Sequence, residues 1–211
     1  MQELRDKNGL TEKEFLARYD ASKFERPSVT VDIICLRSNK VLLIKRGGHP
    51  FLGKLAFPGG FLEPDEDAYT GAARELREET GLKAADLRML PAATAPGRDP
   101  RTRIVTLPFL TGLEGGLAPR ADDDAASAGW YLFTRETRDT AEGELSLITL
   151  SPEGGNPGTV SFSVLRKSDE SGLRGDPVYE VRGENPLAGD HGAILAMALD
   201  VRAREDGFCR S

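Results

Sequence analysis

Apolar positions along the chain change period several times, and each change predicts an element. Between residues 11 and 20, Phe15, Leu16 and Tyr19 share one face of a short helix, with Thr11 and Glu14 at capping-box spacing and Pro27 beyond its end. Residues 28–36 (SVTVDIICL) are dense in β-branched side chains and predict a strand. Ser38-Asn39 suits a turn, and residues 40–46 (KVLLIKR) predict a hairpin partner. Gly47-Gly48-His49-Pro50 opens a loop, residues 55–58 suit a short strand, and Pro58-Gly59-Gly60 a turn. From about residue 66 to Thr80 the chain is rich in Ala, Glu, Leu and Arg and stops at Gly81, the signature of a helix with a glycine C-cap.

Residues 101–111 and 129–133 predict further strands, with Asp122-Asp123-Asp124 as a solvated turn between them. Residues 144–151, 158–167 and 177–182 predict three more, joined by turn-rich links. A last helix is expected over 191–204, with Asp190 as N-cap and Ile194, Leu195, Ala198, Leu199 and Val201 as its apolar positions. Mixed strands with separated helices predict a layered α/β or α+β fold. The organisation expected is a helical extension over 1–25, a single domain over 26–204 with a β-rich insertion at 134–185, and a tail over 205–211.

Charge and composition narrow the partners. The 28 basic and 34 acidic residues leave a net charge of −6, which disfavours broad nucleic-acid binding. An acidic chain also repels an anionic substrate unless a metal or a local Arg cluster intervenes. No apolar run approaches the ~20 residues of a membrane span, and the opening residues lack the apolar stretch of a signal peptide. Cys35 and Cys209 form no disulfide framework, and two thiols with two histidines make a poor zinc site, so unpaired thiols in a reducing cytoplasm are expected.

The chemistry is concentrated in residues 60–82, GFLEPDEDAYTGAARELREETGL. Glu75, Glu78 and Glu79 stand at i, i+3 and i+4 and share a helix face. Three carboxylates so placed repel one another, and a divalent cation removes the conflict; oxygen ligands with water suit Mg²⁺ or Mn²⁺. Arg74 and Arg77 neighbour these acids, and Gly59 and Gly60 allow a tight turn into the preceding loop.

This segment resembles the Nudix box: Gly, five residues, Glu, seven residues, Arg-Glu, an aliphatic, any residue, Glu-Glu, any residue, Gly, an aliphatic. Gly60, Glu66, Arg74, Glu75, Leu76, Glu78, Glu79, Gly81 and Leu82 fill every fixed position. The resemblance implies an α/β/α sandwich around a mixed sheet and hydrolysis of a nucleoside diphosphate linked to another group. It implies metal binding by Glu75, Glu78 and Glu79, catalytic use of these acids with Arg74, and a loop buttressed by Arg74 and Glu66. Glu78 is the box candidate for general base; loop acids Glu136, Glu142, Glu144, Glu153, Glu170, Glu180 and Glu184 are the alternatives.

The flanks are similar to one branch of that family. Residues 26–32, 45–51 and 53–60 before the box, and 97–101, 122–126 and 185–195 after it, resemble ADP-ribose pyrophosphatases and their ADP-ribose-sensing relatives. Pro96, fifteen residues after Gly81, has the spacing of the pyrophosphatase proline. The likeness covers 26–133 and 186–204 and leaves out 134–185, which reads as an added sheet without chemistry, a β-rich lid over the substrate or a dimerisation arm. It implies Mg²⁺-dependent cleavage of ADP-ribose or an NDP-sugar, and a homodimer. The alternatives are a DNA-binding regulator that senses ADP-ribose, or turnover of an oxidised nucleoside triphosphate, a dinucleoside polyphosphate or a nicotinamide dinucleotide.

Arg98, Arg101 and Arg103 carry guanidinium forks that fit phosphate oxygens, and they compete for that role with pairing to Asp99 or Asp122 to Asp124. Arg101 and Arg103 share a sheet face if the strand begins at Arg101. Phe51, Phe57, Phe61 and Trp130 are candidates to stack on a base, with Trp130 weighted toward the core. His49 is expected on a surface loop and His191 at a helix start. Gly189 stands where relatives tend to have Phe.

Overall fold

Side-chain alternation in the two central strands sets up the layers. On β1 (Ser28–Arg37), Val31, Ile33 and Cys35 face one core, and Ile34 and Leu36 face the other. On β2 (Lys40–Arg46), Leu42 joins the first core, and Val41 and Leu43 join the second. Helix α2 (Ala68–Thr80) closes the first with Ala72 and Leu76. Helix α3 (His191–Phe208) closes the second with Ile194, Leu195, Ala198 and Leu199. The result is an α/β/α sandwich, and the computed structural model describes residues 3–113, 125–155, 158–173 and 175–208 of it.

The other strands are β3 (Leu55–Ala56), β4 (Gly59–Phe61), β5 (Arg88–Met89), β6 (Ile104–Thr111), β7 (Ala125–Thr140), β8 (Gly143–Pro152), β9 (Val160–Lys167) and β10 (Val178–Arg182). They form one mixed sheet in the order β10-β9-β8-β7-β2-β1-β6-β5, with β3 on β2 and β4 on β1. The β1–β6 pair is parallel, with Val31 opposite Leu107. Beside it β4 runs antiparallel to β1, with Asp32 opposite Gly59. These pairings carry the glycine turn and the start of α2 to the middle of β1.

The predicted helices form with shifted ends. Asp67 caps α2 by accepting from the Tyr69 and Thr70 N–H groups, so Glu66 stays outside the helix. Gly81 ends it at φ 69°, a left-handed conformation that glycine adopts without a Cβ clash. Helix α1 (Glu12–Arg18) has its capping box, yet none of its residues is buried. Phe15, Leu16 and Tyr19 stand exposed, and Tyr19 packs beside Phe15 and Phe24.

Strand β7 does not end at residue 133; it runs unbroken to Thr140 and pairs with β8 along its length from Tyr131 to Thr140. Ile148 and Leu150 of β8, with Phe162 and Val164 of β9, complete the core under α3. Asp200 of α3 ties the segment down: Arg135 donates to it at 2.5 Å, the Tyr179 hydroxyl at 2.7 Å, and Arg166 pairs with it at 3.1 Å. Residues 134–185 therefore continue the main sheet. Burial of Cys35 pushes its thiol well above the usual range, so it stays a buried apolar filler. The Asp122–Asp124 turn and Cys209 lie outside the described residues. Among the described residues no helix is long and apolar enough to cross a membrane.

Candidate active site

A cleft opens where the end of β2, the β4 turn and the start of α3 meet over β1. The box forms one wall. Arg74 organises it: Nε and one terminal nitrogen grip the Glu66 carboxylate at 3.1 and 2.6 Å, and the other terminal nitrogen reaches Glu75 at 2.9 Å and Glu78 at 3.0 Å. The same fork donates to the Phe61 carbonyl at 3.1 Å. Glu66 is held well below the usual carboxylate range, near 2, chiefly by its hydrogen bonds from Arg74. One guanidinium thus fastens the loop before α2 to the helix and, through one shared nitrogen, bridges the Glu75 and Glu78 carboxylates and offsets their repulsion.

The glycines explain how close the acids come. A Cβ at Gly60 would fall 2.4 Å from Glu75 Oε1, and one at Gly59 would fall 2.1 Å from the Val31 carbonyl. Glu79 accepts the Gly59 N–H at 2.8 Å and is the glutamate of the three that lines the cleft. Burial raises the pKa of Glu79 to about 7, and Glu75 and Asp32 push in the same direction. Burial raises Glu75 as well, against the pull of Arg74.

The rest of the cleft lining was not legible as a site in the sequence. Asp32, 8% exposed, sits in the middle of β1, and burial raises its pKa against the pull of His191 and Arg98. His191 begins α3, as expected. Its Nδ1 accepts the Phe57 N–H at 3.1 Å, which leaves Nε2 carrying the hydrogen that faces Asp32 Oδ2 at 3.5 Å. The ring also stacks on Phe57, with centroids 4.9 Å apart. An acid within the apolar run SVTVDIICL was the available signal for Asp32.

The predicted arginines separate. Arg98 forms a two-pronged pair with Asp190 at 2.8 and 2.6 Å and donates to Thr106 Oγ1 at 2.6 Å, which in turn bonds Thr30. Asp190 starts α3 through its carbonyl, which accepts from Ala193 and Ile194, while its carboxylate serves Arg98. Arg101 is gripped by Asp99 at 3.0 and 2.9 Å and lies over the Phe61 ring, 5.2 Å from its centroid. Strand β6 begins at Ile104, so the shared sheet face expected for Arg101 and Arg103 does not form; Arg103 is exposed and lies outside the cleft lining.

Of the aromatic candidates, Phe57 and Trp130 are buried, 1% and 8% exposed, and Phe61, at 45%, presents its ring at the cleft. Phe51 also lines the cleft, its ring edge 3.7 Å from where a Gly189 Cβ would stand, so an aromatic reaches that position from the facing loop. His49 is exposed at the rim. None of the described residues of 134–185 lines the cleft, which takes Glu136, Glu142, Glu144, Glu153, Glu170, Glu180 and Glu184 away from it. Four of them are paired: Glu142 with Arg182, Glu144 with Arg135, Glu153 with Lys40, and Glu180 with Lys167.

The donor chemistry suits a hard divalent cation. Three carboxylates share the α2 face, two of them carry ionisation costs from burial, and the Gly59-Gly60 turn leaves room beside them that a side chain would fill. Among the described residues no three acid, His or Cys side chains converge on one point, because Arg74 holds Glu75 and Glu78. Recruiting the set to a cation would require those two carboxylates to turn from Arg74.

Known proteins match this chain over both the box and the sheet. It is 38% identical over 122 residues to an ADP-ribose pyrophosphatase of Methanocaldococcus jannaschii, covering 56% of this chain and 72% of that one. It is 35% identical over 109 residues to an ADPR responsive transcriptional repressor, NtrR, of Acinetobacter baylyi, covering 44% of the relative's length. Among solved structures, a MutT/nudix family protein from Enterococcus faecalis superposes with a TM-score of 0.67 at 30% identity, over 92% of this chain and 70% of that one. An overlap of that extent takes in most of residues 134–185. The NUDIX domain of Shewanella oneidensis NrtR, complexed with ADP ribose, gives a TM-score of 0.53 at 30% identity, over 57% and 82%. The NUDIX domain model matches residues 26–147, more than half of the chain, from β1 through the glycine turn and α2 into β8, and on that span the chain belongs to the Nudix family.

Proposed function

We propose that this Nudix pyrophosphohydrolase cleaves ADP-ribose, or a closely related NDP-sugar, to AMP and a sugar phosphate. The observation that carries the reading is the single cleft that Glu79 shares with Phe61, Arg101 and Asp32, with the other two box acids directly behind it on α2. The similarity to the Methanocaldococcus pyrophosphatase supports the choice of substrate. Glu75, Glu78 and Glu79 would hold Mg²⁺ or Mn²⁺, which supplies charge neutralisation at the diphosphate and an acidified water. Arg74 and Glu66 set the orientation of the acids, and Gly59 and Gly60 keep the wall thin enough for the diphosphate to approach. Asp32 is the cleft acid that is neither paired with an arginine nor assigned to the metal, and it takes the proton of the attacking water, with His191 holding its orientation. The Phe61–Arg101 stack offers a flat face to the base, its charge matched by Asp99.

The charge of −6 and the sheet formed by residues 134–185 favour turnover over DNA binding. Incubation of the purified protein with ADP-ribose and Mg²⁺ is expected to release AMP; no AMP above the level of a Glu79→Gln variant would overturn the reading. The homodimer that the family resemblance implies is checked by size-exclusion chromatography with light scattering.

A further inference from the structure

Helix α3 is apolar around most of its circumference. Ile194, Leu195, Ala198 and Leu199 turn into the core, yet the stripe of Ala193, Met197 and Val201 on another side is apolar too. A surface helix ordinarily turns charge to that side, and one that is apolar all round is buried all round. Here the stripe is only half-buried and forms the floor of a second groove, walled by residues 91–95 and 175–179. Asp190, at the start of α3, stands at one end of this groove and Arg204 at the other.

Helix α1 is the converse case. Its capping box is complete within the chain, and none of its residues is buried. Phe15, Leu16 and Tyr19, with Phe24 just beyond, are 46–63% exposed. Tyr19 packs beside Phe15 and Phe24, with centroids 5.9 and 6.5 Å apart, so these side chains form one contiguous apolar patch rather than scattered contacts. Residues 1–26 hold equal numbers of acidic and basic side chains, so the patch has no positive field with which to hold an anionic membrane.

We infer that the groove over α3 seats α1 of a second copy of this chain, and that the exchange is reciprocal in a twofold dimer. A helix laid in an apolar groove is a recurring mode of recognition, and α1 offers Phe15, Leu16 and Tyr19 as its anchors. Within one chain α1 has no buried residue, so it does not fill its own groove. Charge fixes the direction. Antiparallel to α3, the first-turn acids Glu12 and Glu14 face Arg204 and the last-turn Arg18 faces Asp190. The reverse direction sets acid against acid and arginine against arginine. Because α1 is already folded and capped, docking costs little ordering of its backbone. The contact involves no substrate and stands apart from the reading of the cleft; it supplies a surface for the homodimer that the family resemblance implies.

The test runs size-exclusion chromatography with light scattering over a range of loading concentrations. It compares wild type with a Phe15→Asp, Tyr19→Asp double variant and with Met197→Asp. Wild type is expected to be a dimer, and each variant to raise the dimer dissociation constant about tenfold or more. The double variant alters only exposed side chains, so calorimetry should return the wild-type melting temperature. Met197 partly packs on the core; should Met197→Asp fail to fold, a crosslink replaces it. Benzoylphenylalanine at position 15 should, on irradiation, join two chains through a peptide that contains residues 193–201. Arg204→Glu alone should weaken the dimer, and Arg204→Glu combined with Glu12→Arg should restore it. A wild type that is monomeric at every concentration overturns the proposal, as does a crosslink that maps elsewhere or stays within one chain. So does a combined charge swap that remains as weak as Arg204→Glu. An unweakened dimer in either folded variant overturns it as well, and then leaves the homodimer itself to another surface. AMP release from ADP-ribose is read separately, so failure of the substrate reading and failure of this surface are told apart.

Discussion

Glu79→Gln is expected to stabilise the metal-free protein at high pH while destroying its response to Mg²⁺. In the folded chain the Glu79 pKa is raised from an ordinary value of 4.5 to about 7, chiefly by burial. A carboxyl raised in this way binds its proton more tightly folded than unfolded. Stability is therefore unaffected below about pH 4.5 and falls as the pH climbs through about 7. At about 1.4 kcal/mol per pKa unit, the 7 − 4.5 interval corresponds to a loss of up to about 3 kcal/mol at pH 8.5. Gln is nearly isosteric, keeps an oxygen for the Gly59 N–H, and carries no charge to desolvate. Urea unfolding in EDTA, followed by fluorescence of the single, buried Trp130, gives the comparison at pH 5 and pH 8.5. The variant should gain about 1–3 kcal/mol relative to wild type between the two pH values. With Mg²⁺ at pH 8.5 the order should reverse, because wild type gains the binding free energy of the metal and the variant gains far less. A stability difference that is the same at both pH values, or an equal response to Mg²⁺, would refute the reasoning.

Further outcomes follow from named contacts. Gly60→Ala places a methyl 2.4 Å from Glu75 Oε1, and kcat for ADP-ribose should fall at least tenfold with the melting temperature nearly unchanged, as measured by steady-state kinetics and calorimetry. Arg74→Lys removes the fork that serves Glu66, Glu75 and Glu78, and denaturant titration should show a loss of about 3 kcal/mol from acids left without their partner. Asp32→Asn should lower kcat about a hundredfold or more with little change in KM; near-normal kcat would remove it as the proton acceptor. Phe61→Leu should raise KM for ADP-ribose several-fold and leave the pyrophosphate Ki untouched, separating the base from the diphosphate.

Much of the fold and one wall of the cleft were legible in the sequence because they are encoded locally. The capping box at Thr11, the glycine stop at Gly81, the hairpin over 28–46 and the i, i+3, i+4 glutamates each depend on residues a few positions apart. The box pattern is likewise contiguous, so the family could be read directly from its residues. The exposed face of α1 shows where periodicity alone misleads: its apolar spacing is helical, but none of its residues is buried.

The other wall depended on tertiary structure, because its members come from distant parts of the chain. Asp32 meets His191 across more than 150 residues, and Arg98 chooses Asp190 over nearer acids. Once that choice is made, a guanidinium with strong phosphate geometry becomes part of the pocket wall. Residues 134–185 show the same division. Their alternation announced strands, but only packing beneath α3, fixed by Asp200, placed them in the main sheet and away from the cleft. Sequence by itself determined which elements form and which residues carry the box, since backbone propensity and short-range spacing act within a few residues. Tertiary structure alone decided which charges pair and which stay open, since that depends on the burial and proximity that distant segments impose on one another.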